Sequence, residues 1–193
     1  MFPWSQFVVY LLVAAYTPGP NNIISLTNGS CFGWRRGIRY NFGQFFGLLI
    51  VMTLCVFGSL LLNELLPVIA PYMQVVGSAY ILYLAWKMLR SDSELEEHEG
   101  HSGFWYGFGM QFLNVKTYFS VFATAQAHIL PFYGEKPAVL LLFCLGMTVN
   151  AVIASCCWLF GGSLFRRFLS SHGKAINIVM ALLLVYCAVT LFL

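Results

Sequence analysis

Residues 5–27 read SQFVVYLLVAAYTPGPNNIISLT. The run carries no charge, and it matches the roughly 20 mostly apolar residues that a helix needs to cross a bilayer. Yet it is interrupted from within by Thr17-Pro18-Gly19-Pro20-Asn21-Asn22. Two prolines and a glycine remove helical hydrogen bonds and leave carbonyls without donors. In hydrocarbon such a break is tolerated only where the backbone faces protein or a water-filled cavity. This stretch therefore predicts an all-α membrane protein whose first span turns irregular backbone toward a protected interior. The opening residues lack a positive n-region and a small-residue cleavage site, so they read as a retained span rather than a signal peptide.

The rest of the chain agrees. It is 60% hydrophobic and 9% charged, against roughly 45–50% and 25% in soluble domains; a soluble fold of this size cannot hide that much apolar surface. Further apolar runs cover about 40–62, 68–90, 104–130, 138–162 and 173–193, which predicts six transmembrane helices in one domain, 1–193. Lysine and arginine fall unevenly. Arg35, Arg36 and Arg39 flank the first connection, Lys87 and Arg90 the third, and Arg166, Arg167 and Lys174 the fifth, while Lys136 alone stands on the other side. The positive-inside rule then puts the odd connections in the cytoplasm and both termini in the periplasm. Residues Gly29 to Arg36, with Cys31 among them, read as the first connection.

The one long polar stretch, 91–103, reads as a cytoplasmic hinge between a first repeat, 1–90, and a second, 104–193. Three spans per half put the halves in opposite orientations, and inverted repeats of this kind hold a substrate site near the midplane where they meet. Corresponding spans should then share an oddity, and they do. The fourth span contains Gln111-Phe112-Leu113-Asn114-Val115-Lys116-Thr117, with Lys116 the only charged side chain well inside any predicted span. A central lysine costs about 2.5–3.5 kcal/mol on insertion scales, and such residues commonly mark function. The bland alternatives are a packing kink for the first motif and a snorkelling stem for Lys116.

These positions define the candidate binding set: Thr17, Pro18, Gly19, Pro20, Asn21 and Asn22 in the first span, Asn114 and Lys116 in the fourth. Lys116 suits a substrate carboxylate, while asparagines and freed carbonyls suit an ammonium group. Asn41, Gln44, Gln111, Asn150 and Glu64 are candidates for lining the path or for coupling. Gly43 and Gly47 form a GxxxG that favours close helix contact. His128 reads as interfacial, and Trp4, Trp34 and Tyr133 suit interfacial belts.

No GxSxG, HExxH or phosphate-binding loop is present, so neither an enzyme nor an ATPase is expected. The net charge of +3, confined to short connections, does not suggest nucleic acid. The six cysteines lack metal-ligand spacing, so neither metal nor cofactor is expected. Adjacent Cys156 and Cys157 leave open a transmembrane thiol electron carrier, and assembly into a homo-oligomer is also left open.

At these residues the chain resembles the LysE/RhtB family of bacterial amino-acid exporters. Thr17-Pro18-Gly19-Pro20-Asn21 is similar to the family's first-helix signature, and Asn114-Val115-Lys116 to its Asn-Pro-Lys signature, with valine where most members have proline. Tyr80 to Lys87 is similar to the end of the third helix. Residues 111–116, valine included, and 177–189 are similar to the branch that exports cysteine and O-acetylserine. The resemblance implies efflux of such small amino acids across the bacterial inner membrane, driven by proton antiport, with homoserine, threonine or lysine as the alternative substrates within the family.

Overall fold

A computed structural model describes residues 2–61, 66–90, 102–134, 136–165 and 173–189. Glu64 and almost all of the expected hinge lie outside the described residues. Those described are helical throughout, with no strand among them. The first run forms α1 (Trp4–Tyr16) and α2 (Pro20–Phe32), two helices bent by 49° about the Thr17–Gly19 interruption. Pro20 opens α2 at the position where a missing amide proton costs nothing.

The expected first connection is shorter than its turn-forming residues imply. α2 continues through Gly29, Ser30 and Cys31, and α3 (Trp34–Leu61) starts after a single residue, Gly33. Gly33 has φ of 75°, a conformation side chains disfavour, and this is the only positive φ among the described residues. Packing of α2 along a later helix, α8, holds Gly29 and Ser30 helical where local propensity reads them as a turn.

Beyond α4 (Leu66–Arg90) come α5 (Phe104–Leu113) and α6 (Val115–Thr124), separated at Asn114. A π-helical turn, Ala125–Ile129, leads into α7 (Leu130–Tyr133), followed by α8 (Pro137–Leu164) and α9 (Gly173–Val189). α8 and the Trp34–Ser59 part of α3 are each long and apolar enough to cross a membrane, and the bent α1–α2 pair makes a third span if taken as one. α4 and α9 carry shorter apolar stretches, Gln74–Trp86 and Ile178–Val189.

Large apolar side chains face outward on every long helix: Leu54, Val75, Leu142 and Leu182 are each at least 60% exposed. Such a surface needs lipid to cover it. One end of the bundle carries arginines, with Arg35 over the Trp34 ring and Arg36 over Phe32. The other end is aromatic: the Phe2 ring lies 4.6–5.6 Å from those of Trp4, Phe7, Phe132, Tyr133 and Phe143.

Near the arginine end, two helix crossings bring backbones together. Gly43 and Gly47 of α3 face the main chain of Phe104 and Phe108 in α5, and Gly107 of α5 faces the Tyr40 carbonyl in return. At the second crossing Gly29 of α2 faces the Leu159 carbonyl of α8, and Gly162 faces the Leu26 carbonyl. Small residues permit this because lipid offers no hydrophobic drive for helix association, leaving contact and hydrogen bonding to supply it. The expected GxxxG packing is thus one half of a reciprocal arrangement. Toward the aromatic end, α1, α3, α6 and α8 enclose an apolar core that includes Val56, Ala125 and Cys144, while α4 and α9 pack together against Ile23 of α2.

Candidate functional site

The interruption of the first run leaves the carbonyls ending α1 without helical donors. Each one is met. The Ala14 carbonyl takes the Thr17 hydroxyl at 3.2 Å, and Asn22 Nδ2 donates to those of Ala15 and Thr17 at 2.7 and 2.9 Å. Trp158 Nε1 donates to the Tyr16 carbonyl at 3.3 Å, and Cys187 Sγ to that of Pro18 at 3.1 Å. The Gly19 carbonyl takes the Ile23 amide at 2.9 Å. The break is therefore a held structure, secured from α2, α8 and α9.

Lys116 completes it. The side chain leaves the first turn of α6 and crosses to the interruption, where Nζ donates to Thr17 Oγ1 at 3.0 Å and reaches the Pro18 carbonyl at 3.4 Å. The lysine is partly buried and lies against Gly19 rather than snorkelling outward. A cation here also suits the negative end of the α1 dipole.

The fourth run is interrupted without proline. Asn114 (φ −84°, ψ 83°) ends α5 and starts α6. Two side chains and one backbone amide bond around it. Gln111 Nε2 donates to the Gly107 carbonyl at 2.9 Å, Tyr118 Oη to the Phe112 carbonyl at 3.3 Å, and the Thr117 amide to the Asn114 carbonyl at 2.9 Å. Gln111 also pairs with Asn21 across the two breaks: Asn21 Nδ2 donates to Gln111 Oε1 at 2.7 Å, and Gln111 Nε2 lies 3.2 Å from Asn21 Oδ1. Tyr40 Oη donates to the same Asn21 oxygen at 3.1 Å. On the other side Gln44 Nε2 donates to Ser155 Oγ at 2.9 Å, which donates to Asn22 Oδ1 at 3.0 Å. Both interruptions thus belong to one hydrogen-bonded layer.

Over this layer, toward the aromatic end, lies a cavity of about 100 Å³. Lys116 is the only formally charged side chain among its lining residues. Two buried acceptors at the cavity have no partner, Gln44 Oε1 and Asn114 Oδ1. A buried unpaired acceptor costs about 1–3 kcal/mol. The cavity thus offers one cation, and two of its lining residues carry buried acceptors without a partner.

The chain matches the LysE type translocator family over residues 12–193. It belongs to the LysE family. It is 38% identical over 189 residues to the cysteine/O-acetylserine efflux protein of Salmonella typhimurium (strain LT2), covering 97% of this chain and 96% of the relative. It is 36% identical over 195 residues to the cysteine/O-acetylserine efflux protein of Escherichia coli (strain K12), with the same coverage. No solved structure matches. A LysE chain with this apolar surface is a multi-pass inner-membrane protein.

In this LysE chain Gly19, Pro20, Asn21, Asn22, Asn114 and Lys116 all line the cavity, with Gln44 and Asn150. Thr17 and Pro18 act as partners of Lys116. Gln111 is fully buried beside the cavity, within the layer. Asn41 lies nearer the arginine end, accepting from Ser25 Oγ at 3.2 Å and donating to Cys156 Sγ at 3.3 Å. Cys156 and Cys157 are unbridged, and Cys157 is exposed. Sequence reading missed Tyr40, Ser155, Trp158 and Cys187. Each looks like an ordinary membrane-helix residue, and its polar task exists only through a partner more than 15 positions away.

Proposed function

We propose that this chain exports small neutral amino acids, cysteine and O-acetylserine among them, from cytoplasm to periplasm by alternating access. The carrying observation is that Lys116 Nζ sits at the interruption of the first run, beside a cavity whose lining residues Gln44 and Asn114 carry unpaired acceptors. The substrate carboxylate pairs with Lys116, and its ammonium group takes Asn114 Oδ1 and Gln44 Oε1. Asn21 and Asn22 hold the interruption in shape. The names of the relatives support the substrate class. So does the lining: without a carboxylate there, a second ammonium such as that of lysine would go unpaired.

The architecture in this reading is six spans in two inverted repeats, 1–90 and 104–193, with both termini periplasmic. Each repeat opens on an interrupted span, and each interrupted span packs on the second span of the other repeat: α2 on α8, and α5 on α3. With the arginine end cytoplasmic, the two glycine crossings close the cytoplasmic side. Export requires them to part, admitting substrate to Lys116, and to close again beneath it. Proton antiport supplies the drive.

The test is efflux of labelled cysteine and O-acetylserine from proteoliposomes, with and without a pH gradient. Lys116→Met removes the carboxylate's partner at a cost of about 2–5 kcal/mol, a loss of roughly 30- to 5,000-fold. A Lys116→Met protein that inserts normally and exports at the wild-type rate takes Lys116 out of the mechanism.

A further inference from the structure

The cavity is polar at its lower end, while toward the aromatic end Leu48, Met52, Val121 and Met147 line it beside Tyr10 and Thr124; the helix register fixes which end is which. Gln44, Leu48 and Met52 follow one another up one face of α3, so Met52 stands about 12 Å above Gln44. α8 runs antiparallel beside it, carrying Ser155 low and Met147 high. Two contacts pin this register: Gln44 Nε2 to Ser155 Oγ at 2.9 Å below, and Thr148 Oγ1 to Met52 Sδ at 3.3 Å above. On α6 Val121 stands about 7.5 Å, roughly 1.4 turns, nearer the aromatic end than Lys116. Both methionines are buried, at 6% and 3% exposure, so they close that end rather than fringe it.

We infer that this apolar roof, formed by Leu48, Met52, Val121 and Met147, is the subsite for the substrate's side chain, and that the two methionines set the longest side chain exported. The inference rests on the proposed amino-acid export and adds an orientation to it. Head groups engage Lys116, Asn114 and Gln44 on the polar floor, so the side chain has one direction left, upward. Thioethers suit this task because they are unbranched, deformable and polarisable, and adapt to a thiol or a short ester. They also fill the space a longer chain would need. A hydrophobic pocket discriminates by about 10- to 200-fold per methylene that must be fitted or refused.

The experiment measures efflux of cysteine, O-acetylserine, methionine and leucine from proteoliposomes, expressed as ratios to cysteine. Met52→Ala and Met147→Ala are expected to raise the methionine and leucine ratios about tenfold or more. Met52→Phe is expected to depress O-acetylserine about tenfold relative to cysteine. Leu54→Ala, on the exposed face of the same helix and away from the cavity, should keep the wild-type profile, which checks that α3 tolerates substitution. If the alanine variants scale all four substrates alike, or only slow them, the roof does not touch the side chain and the proposal falls. Should Met52→Ala fail to insert, Met147→Ala and Met52→Phe decide by the same ratios. Wild-type protein that moves none of the four overturns the export reading itself, a result distinct from unchanged ratios in an active transporter.

Discussion

The glycine crossings make the sharpest prediction about how the cavity opens. A Cβ added at Gly29 would meet the Leu159 carbonyl and come within 2.9 Å of the Ser163 amide nitrogen. One added at Gly107 would meet the Tyr40 carbonyl and lie 3.1 Å from the Gln44 nitrogen. These obstacles are backbone atoms and cannot rotate aside, so α2 must move off α8, or α5 off α3, by about an ångström. Overpacking of this kind costs about 1–3 kcal/mol. The cost falls on the conformer in which the crossing is closed, so Gly29→Ala or Gly107→Ala should favour the cytoplasm-open form by about 5- to 150-fold. Cys156 reports this directly, because its sulfur is engaged by Asn41 between α3 and α8, with Ser25 of α2 bonded to the same asparagine. With the other five cysteines changed to serine, its alkylation by an impermeant maleimide in everted vesicles should accelerate by a comparable factor. Gly58→Ala and Gly146→Ala are the controls, since a Cβ there meets nothing within 4 Å. Equal labelling in crossing and control variants, all monodisperse after purification, would refute the gate.

Two further predictions concern the interruptions. Asn22→Ala strips the donors from the Ala15 and Thr17 carbonyls and leaves Ser155 without its acceptor. It should cost about 1–3 kcal/mol or more, read as a lower Tm in detergent, and should reduce export of every substrate alike. Val115→Pro should be nearly neutral in Tm and export, because Val115 is the first residue of α6, where proline is tolerated, and Asn114 already has non-helical ψ of 83°. Val121→Pro, inside α6, should cost about 3 kcal/mol or more. A large loss of stability in Val115→Pro would show that the Asn114 geometry has been misassigned.

That contrast also explains which parts of the site were legible. The first interruption announces itself, because Pro18, Gly19 and Pro20 act on the backbone that carries them. Lys116 is equally visible, since a charge in an apolar run needs a reason wherever it points. The second interruption has no such marker: with Val115 in place of proline, nothing local forbids the helix from continuing through Asn114. Beside it Gln111 turns its amide to Gly107 and pairs with Asn21 of the first interrupted span, contacts that no local pattern announces. The same dependence hides the glycines. Gly43 and Gly47 are readable at their four-residue spacing, whereas Gly29, Gly107 and Gly162 stand singly and gain meaning from the carbonyls opposite. Cys31 was misread as a loop residue for a related reason, since the contact that keeps α2 helical lies on α8. One broken span is therefore written locally, and the other is tied to it through the Asn21–Gln111 pair. A transporter built this way joins its two interruptions twice, through one pair of amides and through Lys116, which reaches from the second to Thr17 and Pro18 of the first.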